Sequence, residues 1–395
     1  MSLFFKSKNK IKNVLVFDIG SSSVGGSVVS ISEKYNKIKP DIIKSIRDEM
    51  VERGDVSFDI LLKDMLNSLN DVVNFIYNSK TGVPEEAFCV LASPWYLSEI
   101  RNIKYSRETH FVFTNKLASE LLQKEINLMN ISYEKKYSDS DSIPSLIENH
   151  IMEVIIDGVS DFSPLGKKVK SIEMNVIISL CPKVLLNKIN EIISKTFPQI
   201  SISFSSFMAD SYLAVRDQHI GIDSYLLMDI GGEVTDVTLI KDNIIKSSIT
   251  FPYGKRSIFN YLSNELRVEL RDAKELFKLF MSNNLSIDLD KKISMSLNSI
   301  RDIWAKKFIE SLMILPYAPS DIPSIIFITV DDDVNKWFTS ILETNKNIRT
   351  FFDERKIVIV TLAPSVFIDS FNNSNLKDDL FLMIDSVALF KKLNK

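Results

Sequence analysis

The chain has 395 residues, 45% of them apolar, and a net charge of −3. That composition supports more than one buried core, and no basic stretch interleaved with aromatics is present, which excludes a nucleic-acid-binding role. The two cysteines, Cys89 and Cys181, lie inside apolar runs, where a thiol serves as a small hydrophobe. A disulfide scaffold is therefore excluded and a reducing, cytoplasmic setting is expected. His110, His150 and His219 stand apart from other ligand-type residues, so no structural metal site is expected.

No apolar run reaches the roughly 20 residues that span a bilayer, so no transmembrane segment is expected. The patch Leu3, Phe4 and Phe5, followed by Lys6, Lys8, Lys10 and Lys12, is too short for a signal-peptide core and reads as a frayed terminus.

Along the chain, the run VLVFDIGSSSVGGSVVSI at 14–31 predicts an apolar strand ending at Asp18, a tight turn and a second strand. An acid at a strand end, followed by Gly20 and the hydroxyls of Ser21, Ser22 and Ser23, suits nucleotide phosphates and their Mg2+. A third strand is predicted at 41–47, and a helix at 58–77 with Ser57 as its N-cap. That helix carries Ile60, Leu61, Met65, Leu69, Val72, Val73 and Ile76 at helical spacing. A strand at 87–92 closes this α/β half.

The stretch 95–204 reads differently. It offers a helix at 115–128, a polar loop at 137–144, and β-patterned runs at 150–159 and 170–180 joined by the turn DFSPLG at 161–166. With a helix at 184–195, this forms a small α+β subdomain inserted into the first half. A helix at 205–218 leads into the second hairpin, YLLMDIGGEVTDVTLI at 225–240, which repeats Asp-Ile-Gly at Asp229. Helical blocks at 257–282 and 290–315, a strand at 324–330, a helix at 335–342, a strand at 356–362 and a final helix at 377–392 complete the expected order.

Two matching hairpins predict two related half-domains facing each other across a phosphate site. Asp18 and Asp229 are the candidate Mg2+ ligands, acting through water. Gly231 and Gly232 permit close backbone approach, while Thr235 and Asp236 point back to the cleft by strand alternation. Asp229 and Asp236 are the candidate catalytic residues, Asp236 as a water-orienting group. Neither G-x-x-x-x-G-K-[ST] nor G-x-G-x-x-G occurs, which argues against P-loop and Rossmann sites.

This pattern resembles the actin-like ATPases, and within them the FtsA and PilM subgroup. DIGGEVTDVTLIKDNIIKSSITFPYGKRSI at 229–258 is similar to their second phosphate motif and Pro-x-Gly-Gly turn, and MADSYLAV at 208–215 to their crossing helix. IIDGVSDFSPLGKKVKSIEMNVIISL at 155–180 resembles the subdomain that this subgroup carries inside its first half. The resemblance implies a two-lobed actin-like α/β fold, built from duplicated ribonuclease H-like halves, with an inserted α+β subdomain. Its parts would be a first lobe at 11–95, the insert at 96–203, a return helix at 204–224 and a second lobe at 225–395 with a helical subdomain near 257–315.

It also implies ATP and Mg2+ as cofactors, with Gly254, Thr329 and Asp331 joining the cofactor-binding set. The implied partner is a cytoplasmic peptide of an inner-membrane protein, with self-association into dimers or filaments as a further expectation. The PilM-like role is preferred to the FtsA-like one because no C-terminal amphipathic membrane helix is expected after the run at 381–395. An FtsA-like link between a tubulin-like ring and the membrane, a non-hydrolysing scaffold and a small-substrate kinase are the alternatives. Three positions depart from the pattern. Gly25 stands where a phosphate-binding Lys is usual, Asp331, Asp332 and Asp333 replace the adenosine glycines with Asp333 as a candidate helix N-cap, and Lys255 replaces the second Gly of the Pro-x-Gly-Gly turn. Lys255 or Arg256 is the candidate replacement cation.

Overall fold

The computed structural model describes residues 12–34, 37–50, 57–82, 84–136, 143–219, 221–372 and 379–394. The apolar patch at 3–5 with its lysines to Lys10, the polar loop at 137–142 and the first two residues of the expected final helix lie outside that set.

The first hairpin forms as expected, from β1 (Lys12–Ile19) and β2 (Ser23–Lys34). Its register sets Asp18 opposite Gly25, and β3 (Lys37–Glu49) then sets Arg47 opposite the other side of Gly25. α1 (Phe58–Asn78) buries Leu61, Met65, Leu69, Val72, Val73 and Ile76, one stripe at helical spacing against this sheet. β4 (Glu86–Leu91) joins β1 in parallel.

The chain then leaves the lobe to build a second unit. β5 (Leu97–Val112), α2 (Asn115–Lys136), β6 (Pro144–Ile156), β7 (Val159–Ser160) and β8 (Lys168–Pro182) give a four-stranded sheet in the order β5-β8-β6-β7. It has its own core around Phe113, Met129, Met174 and Val176. α3 (Lys183–Thr196) leads back, and β9 (Ser201–Ser206) completes the first-lobe sheet, β3-β2-β1-β4-β9. The helix expected at 205–218 is shorter, α4 (Phe207–Arg216), because Ser205 and Ser206 remain in β9 and Ser206 caps it by accepting from the Ala209 N–H.

The second lobe repeats the first. β10 (Tyr225–Ile230), β11 (Thr235–Lys241) and β12 (Ile244–Phe251) are antiparallel, followed by α5 (Lys255–Leu266), α6 (Leu270–Met281) and α7 (Ile287–Ile314). The expected single block at 257–282 is two helices, since Arg267 takes the left-handed conformation at φ 55° and ends α5. β13 (Ile325–Val330), α8 (Asp332–Thr344), α9 (Lys346–Phe351), β14 (Val358–Thr361), α10 (Pro364–Phe367) and α11 (Leu380–Leu393) follow. The sheet order β12-β11-β10-β13-β14 reproduces the first lobe strand for strand: three antiparallel members, then two parallel ones.

α11, LFLMIDSVALFKKL, is apolar on nearly every side and accordingly buried. One apolar cluster runs from Val14, Val16 and Phe88 of the first lobe through α4 and α11 to Tyr225, Leu227 and Phe327 of the second. The two helices thus form the spine between the sheets and fix where the hairpin turns meet.

Candidate functional site

Both Asp-Ile-Gly turns lie at the same place between the lobes. The Gly20 N–H donates to the Ser23 carbonyl at 3.1 Å, and the Gly231 N–H to the Val234 carbonyl at 3.0 Å, so each turn closes on itself. The first turn is held from below by the Trp95 indole, 1% exposed, whose Nε1 donates to the Gly20 carbonyl at 2.8 Å. The turns also touch each other. The Glu233 N–H donates to Ser21 Oγ at 3.2 Å, and a Cβ on Gly232 would lie 2.9 Å from Ser21 Oγ and from Ser22 Cβ, so only glycine permits the approach.

Asp18 is buried at the end of β1 and paired with Arg47, whose Nη2 donates to Asp18 Oδ2 at 2.7 Å. The same guanidinium donates through Nη1 to Ser23 Oγ at 2.8 Å and through Nη2 to Asp379 Oδ1 at 2.9 Å, with a second bond from Nε to Asp379. Asp379 is the N-cap of α11 and accepts from the Phe381 and Leu382 N–H groups. Gly25 makes the room: a Cβ there would sit 2.7 Å from Arg47 Nη2. Sequence reasoning missed this cation, placing the candidate replacements at Lys255 and Arg256. The pairing of Arg47 with the vacated position depends on strand register, which a glycine between two strands does not advertise.

On the other side, Asp229 accepts from Thr329 Oγ1 at 2.7 Å and faces Asp236 across the strands. Thr250 donates to Asp236, and Thr235 Oγ1 donates to the Tyr253 carbonyl at 2.7 Å. Burial, then the neighbouring Asp236, pushes the Asp229 carboxyl well above its ordinary range, and burial raises Asp236. Asp331, not Asp333, is the N-cap of α8, and Asp332 and Asp333 face solvent in its first turn. Asp331 is ion-paired with Lys255, which is 3% exposed, and Glu49 of the first lobe lies 3.9 Å from the same ammonium. Arg256 pairs with Glu233 at 2.8 Å. The N–H groups of Gly254, Lys255 and Arg256 donate to the carbonyls of Glu233, Gly231 and Gly232 at 3.1, 2.9 and 3.0 Å, so the second turn is braced by the start of α5.

The space left among Asp18, Ser21 to Ser23, Arg47, Asp229, Gly231, Gly232 and Asp331 is about 30 Å³, against several hundred for a ligand site. Asp18 and Asp331 already hold cations of the chain, and burial disfavours the charged form of Asp229. The residues present do not fit a magnesium triphosphate in this arrangement.

Asp18 also sets a pH dependence. Burial, with Asp379 adding and Arg47 opposing, raises its carboxyl from 3.8 to about 6. The native state therefore holds this proton more tightly than the unfolded chain, and the stability it contributes is present below 3.8 and lost as pH rises through 6. Urea unfolding across that window should show wild type losing stability relative to Asp18→Asn as pH rises. A difference that stays flat or grows would remove the assignment.

A second feature lies where the insert meets the lobes. A groove of about 900 Å³ is walled by Asn149 to Val154 of β6, Phe162 and Pro164 of the following loop, Tyr212 and Arg216 of α4, and Asn243 and Ile244 of the second lobe. Among the described residues, β6 pairs on its outer side with β7 at Ile155 and Ile156, and the Val154 carbonyl accepts from the Asp161 N–H at 2.8 Å, so the edge open to the groove is the part before Val154. Phe162 is fully exposed and Ile151 is 45% exposed on this wall.

Behind that edge, β6 enters a buried ionic cluster. A register shift between Leu146 and Glu148 leaves Ile147 outside the pairing with β8, and the irregularity turns Glu148 inward. Glu148 accepts from Ser205 Oγ at 2.8 Å, the Ser206 N–H at 2.9 Å and Ser179 Oγ at 3.2 Å, and His150 Nε2 lies 2.9 Å away. Lys392 of α11 reaches Asp210 at 2.6 Å and Glu148 at 3.4 Å. Of these only His150 was noted from sequence, as a residue standing apart, although a lone Glu or Asp inside an apolar run is a signal of a paired buried charge.

No protein-family model and no curated protein sequence matches the chain. Among solved structures it is similar to the PilM-PilN type IV pilus biogenesis complex, with a TM-score of 0.59, 11% identity, and 95% of this chain and 96% of that chain covered. The chain has the actin-like ATPase fold. Similarity also extends, at lower TM-scores, to a Bacteroides thetaiotaomicron protein described as having an actin-like ATPase fold (0.41, 9% identity, 96% of each chain) and to MreB5 of Spiroplasma citri bound to ADP (0.39, 11% identity, 96% of each chain). The actin-like lobes account for the doubled Asp-Ile-Gly, which sits at equivalent strand ends in the two halves.

Proposed function

We propose that this actin-like protein is a scaffold of PilM type, taking an extended peptide of an inner-membrane protein along the free edge of β6. The observation that carries the reading is that unpaired edge, set in a groove of about 900 Å³ with exposed apolar side chains on its wall. An added strand satisfies the free N–H and C=O groups of β6, and alternate side chains enter the groove. A solved structure of similar fold contains PilM together with PilN, which agrees with a peptide-binding role. Among the described residues no helix is long and apolar enough to cross a membrane. In this reading the partner brings the chain to the membrane face, and the groove supplies specificity rather than chemistry.

A photo-crosslinking amino acid at Ile151 tests the site in cells. The expected adduct joins residue 151 to a segment next to a transmembrane helix of a membrane protein, and Ile151→Lys should weaken that partner about tenfold or more, by loss of buried apolar contact and burial of an unpaired charge. Recovery of only a second copy of this chain would overturn the proposal.

A further inference from the structure

The sequence-level expectation of a magnesium-nucleotide site and the geometry between the lobes disagree, and the disagreement has a consistent pattern. Two cations of the chain stand inside the cleft. Arg47 is half-buried at the end of β3 and binds Asp18, Ser23 and Asp379 together. Lys255 is buried at the start of α5 and binds Asp331, with Glu49 of the opposite lobe 3.9 Å away. Each cation occupies a departure from the resembled pattern: Arg47 fills the space that Gly25 leaves, and Lys255 replaces a glycine beside the expected adenosine position and takes up the aspartate that replaces another.

We infer that the cleft is an internal ionic clasp, in which Arg47 ties the first-lobe sheet to α11 and Lys255 holds Asp331 while reaching Glu49 of the opposite lobe, in place of a metal and a nucleotide. The guanidinium suits the task because its planar fork can satisfy two carboxylates at once. Here Asp18 belongs to a first-lobe strand and Asp379 to the start of α11, so one side chain ties sheet to spine. Lys255 has one strong partner in its own lobe and a longer reach to the other. The turns complete the clasp, since Ser21 and the Glu233 N–H meet directly across the cleft at 3.2 Å. A triphosphate entering this space would bring negative charge against Asp18, Asp331 and Asp379, whose cations are already committed, and would have to part Gly232 from Ser21 and Ser22.

The test uses the full chain and two kinds of measurement. Calorimetric titration of wild type with Mg-ATP and Mg-ADP at millimolar concentration should give no binding heat, and neither nucleotide nor EDTA should change the melting temperature or the small-angle scattering profile. Arg47→Met and Lys255→Met, singly and together, should lower the melting temperature, and in the folded fraction the double variant should scatter as a more open particle. Saturable Mg-ATP heat in wild type that Asp229→Ala abolishes would overturn the inference. So would a melting-temperature rise of about 5 °C or more with Mg-ATP, as expected for a ligand in large excess over its Kd. A double variant with the stability and scattering profile of wild type would show that the ion pairs do not clasp anything, with the same consequence.

Discussion

Lys392→Met is expected to lower stability by about 3–5 kcal/mol, because it removes the cation shared by two buried carboxylates, leaving Asp210 without a counter-ion and Glu148 with only His150 and its serine partners. Asp210 is fully buried, and Glu148 is 8% exposed. The cluster joins three parts of the molecule: Glu148 on the inserted subdomain, Asp210 on α4 and Lys392 on α11. Methionine keeps a stem of similar length, and besides the ion pairs it gives up only the contact of the ammonium with the face of the Phe88 ring, 5.1 Å away. Adding Glu148→Gln and Asp210→Asn to Lys392→Met should recover much of the loss, since the penalty lies in unpaired charge rather than missing volume. Urea unfolding monitored by circular dichroism reads the effect. A loss below about 1 kcal/mol would place the cluster with solvated surface pairs instead.

Glu148 gives this cluster an acid limit as well. Burial opposes its charge, but the His150 and Ser206 bonds and the Lys392 charge prevail and lower its carboxyl from 4.5 to about 2. A folded-state value below the unfolded one means that the contribution is present above 4.5 and is lost as pH falls toward 2.

Trp95→Ala is the second large effect, at about 3–5 kcal/mol for a fully buried aromatic with little room to collapse. The indole packs on Phe58 at a ring distance of 5.6 Å and bonds the Gly20 carbonyl at 2.8 Å, so it couples the start of α1 to the first Asp-Ile-Gly turn. Trp95→Phe separates the two contributions. It retains much of the packing and leaves the Gly20 carbonyl without its donor, which should cost about 1–3 kcal/mol. Hydrogen exchange should then rise at residues 20–23 while α7 stays protected. Equal loosening of both regions would mean that Trp95 supports the lobe at large and not the turn.

The doubled hairpin was the legible part of this chain. Apolar runs ending in Asp18 and Asp229, each followed by glycine and hydroxyls, specify strand, turn and strand by local chemistry alone, and the strands form at those residues. α1 was legible because its apolar stripe has one period over five turns. β5 was not: of its residues only Ile103 and Phe111 are buried, so no alternation marks it. The state of the site was less legible still, for a physical reason. Whether Asp18 is free for a metal depends on Arg47, and whether Arg47 reaches it depends on the registers of β1 with β2 and of β2 with β3. Asp379, the third member, is brought in only by tertiary packing of α11. Charges that meet through register and packing leave no spacing to read.

The placement of α11 also has a consequence for synthesis. Arg47 and Asp379 are 332 residues apart, and the whole second lobe lies between them in the chain. The apolar face under β1 and α4 is covered by Leu382, Met383 and Val387, so the ribosome must release residues beyond 380 before the first lobe can close. Until then that half of the molecule presents an open apolar surface while its neighbour folds, a long-range dependence that favours slow assembly and a need for chaperones.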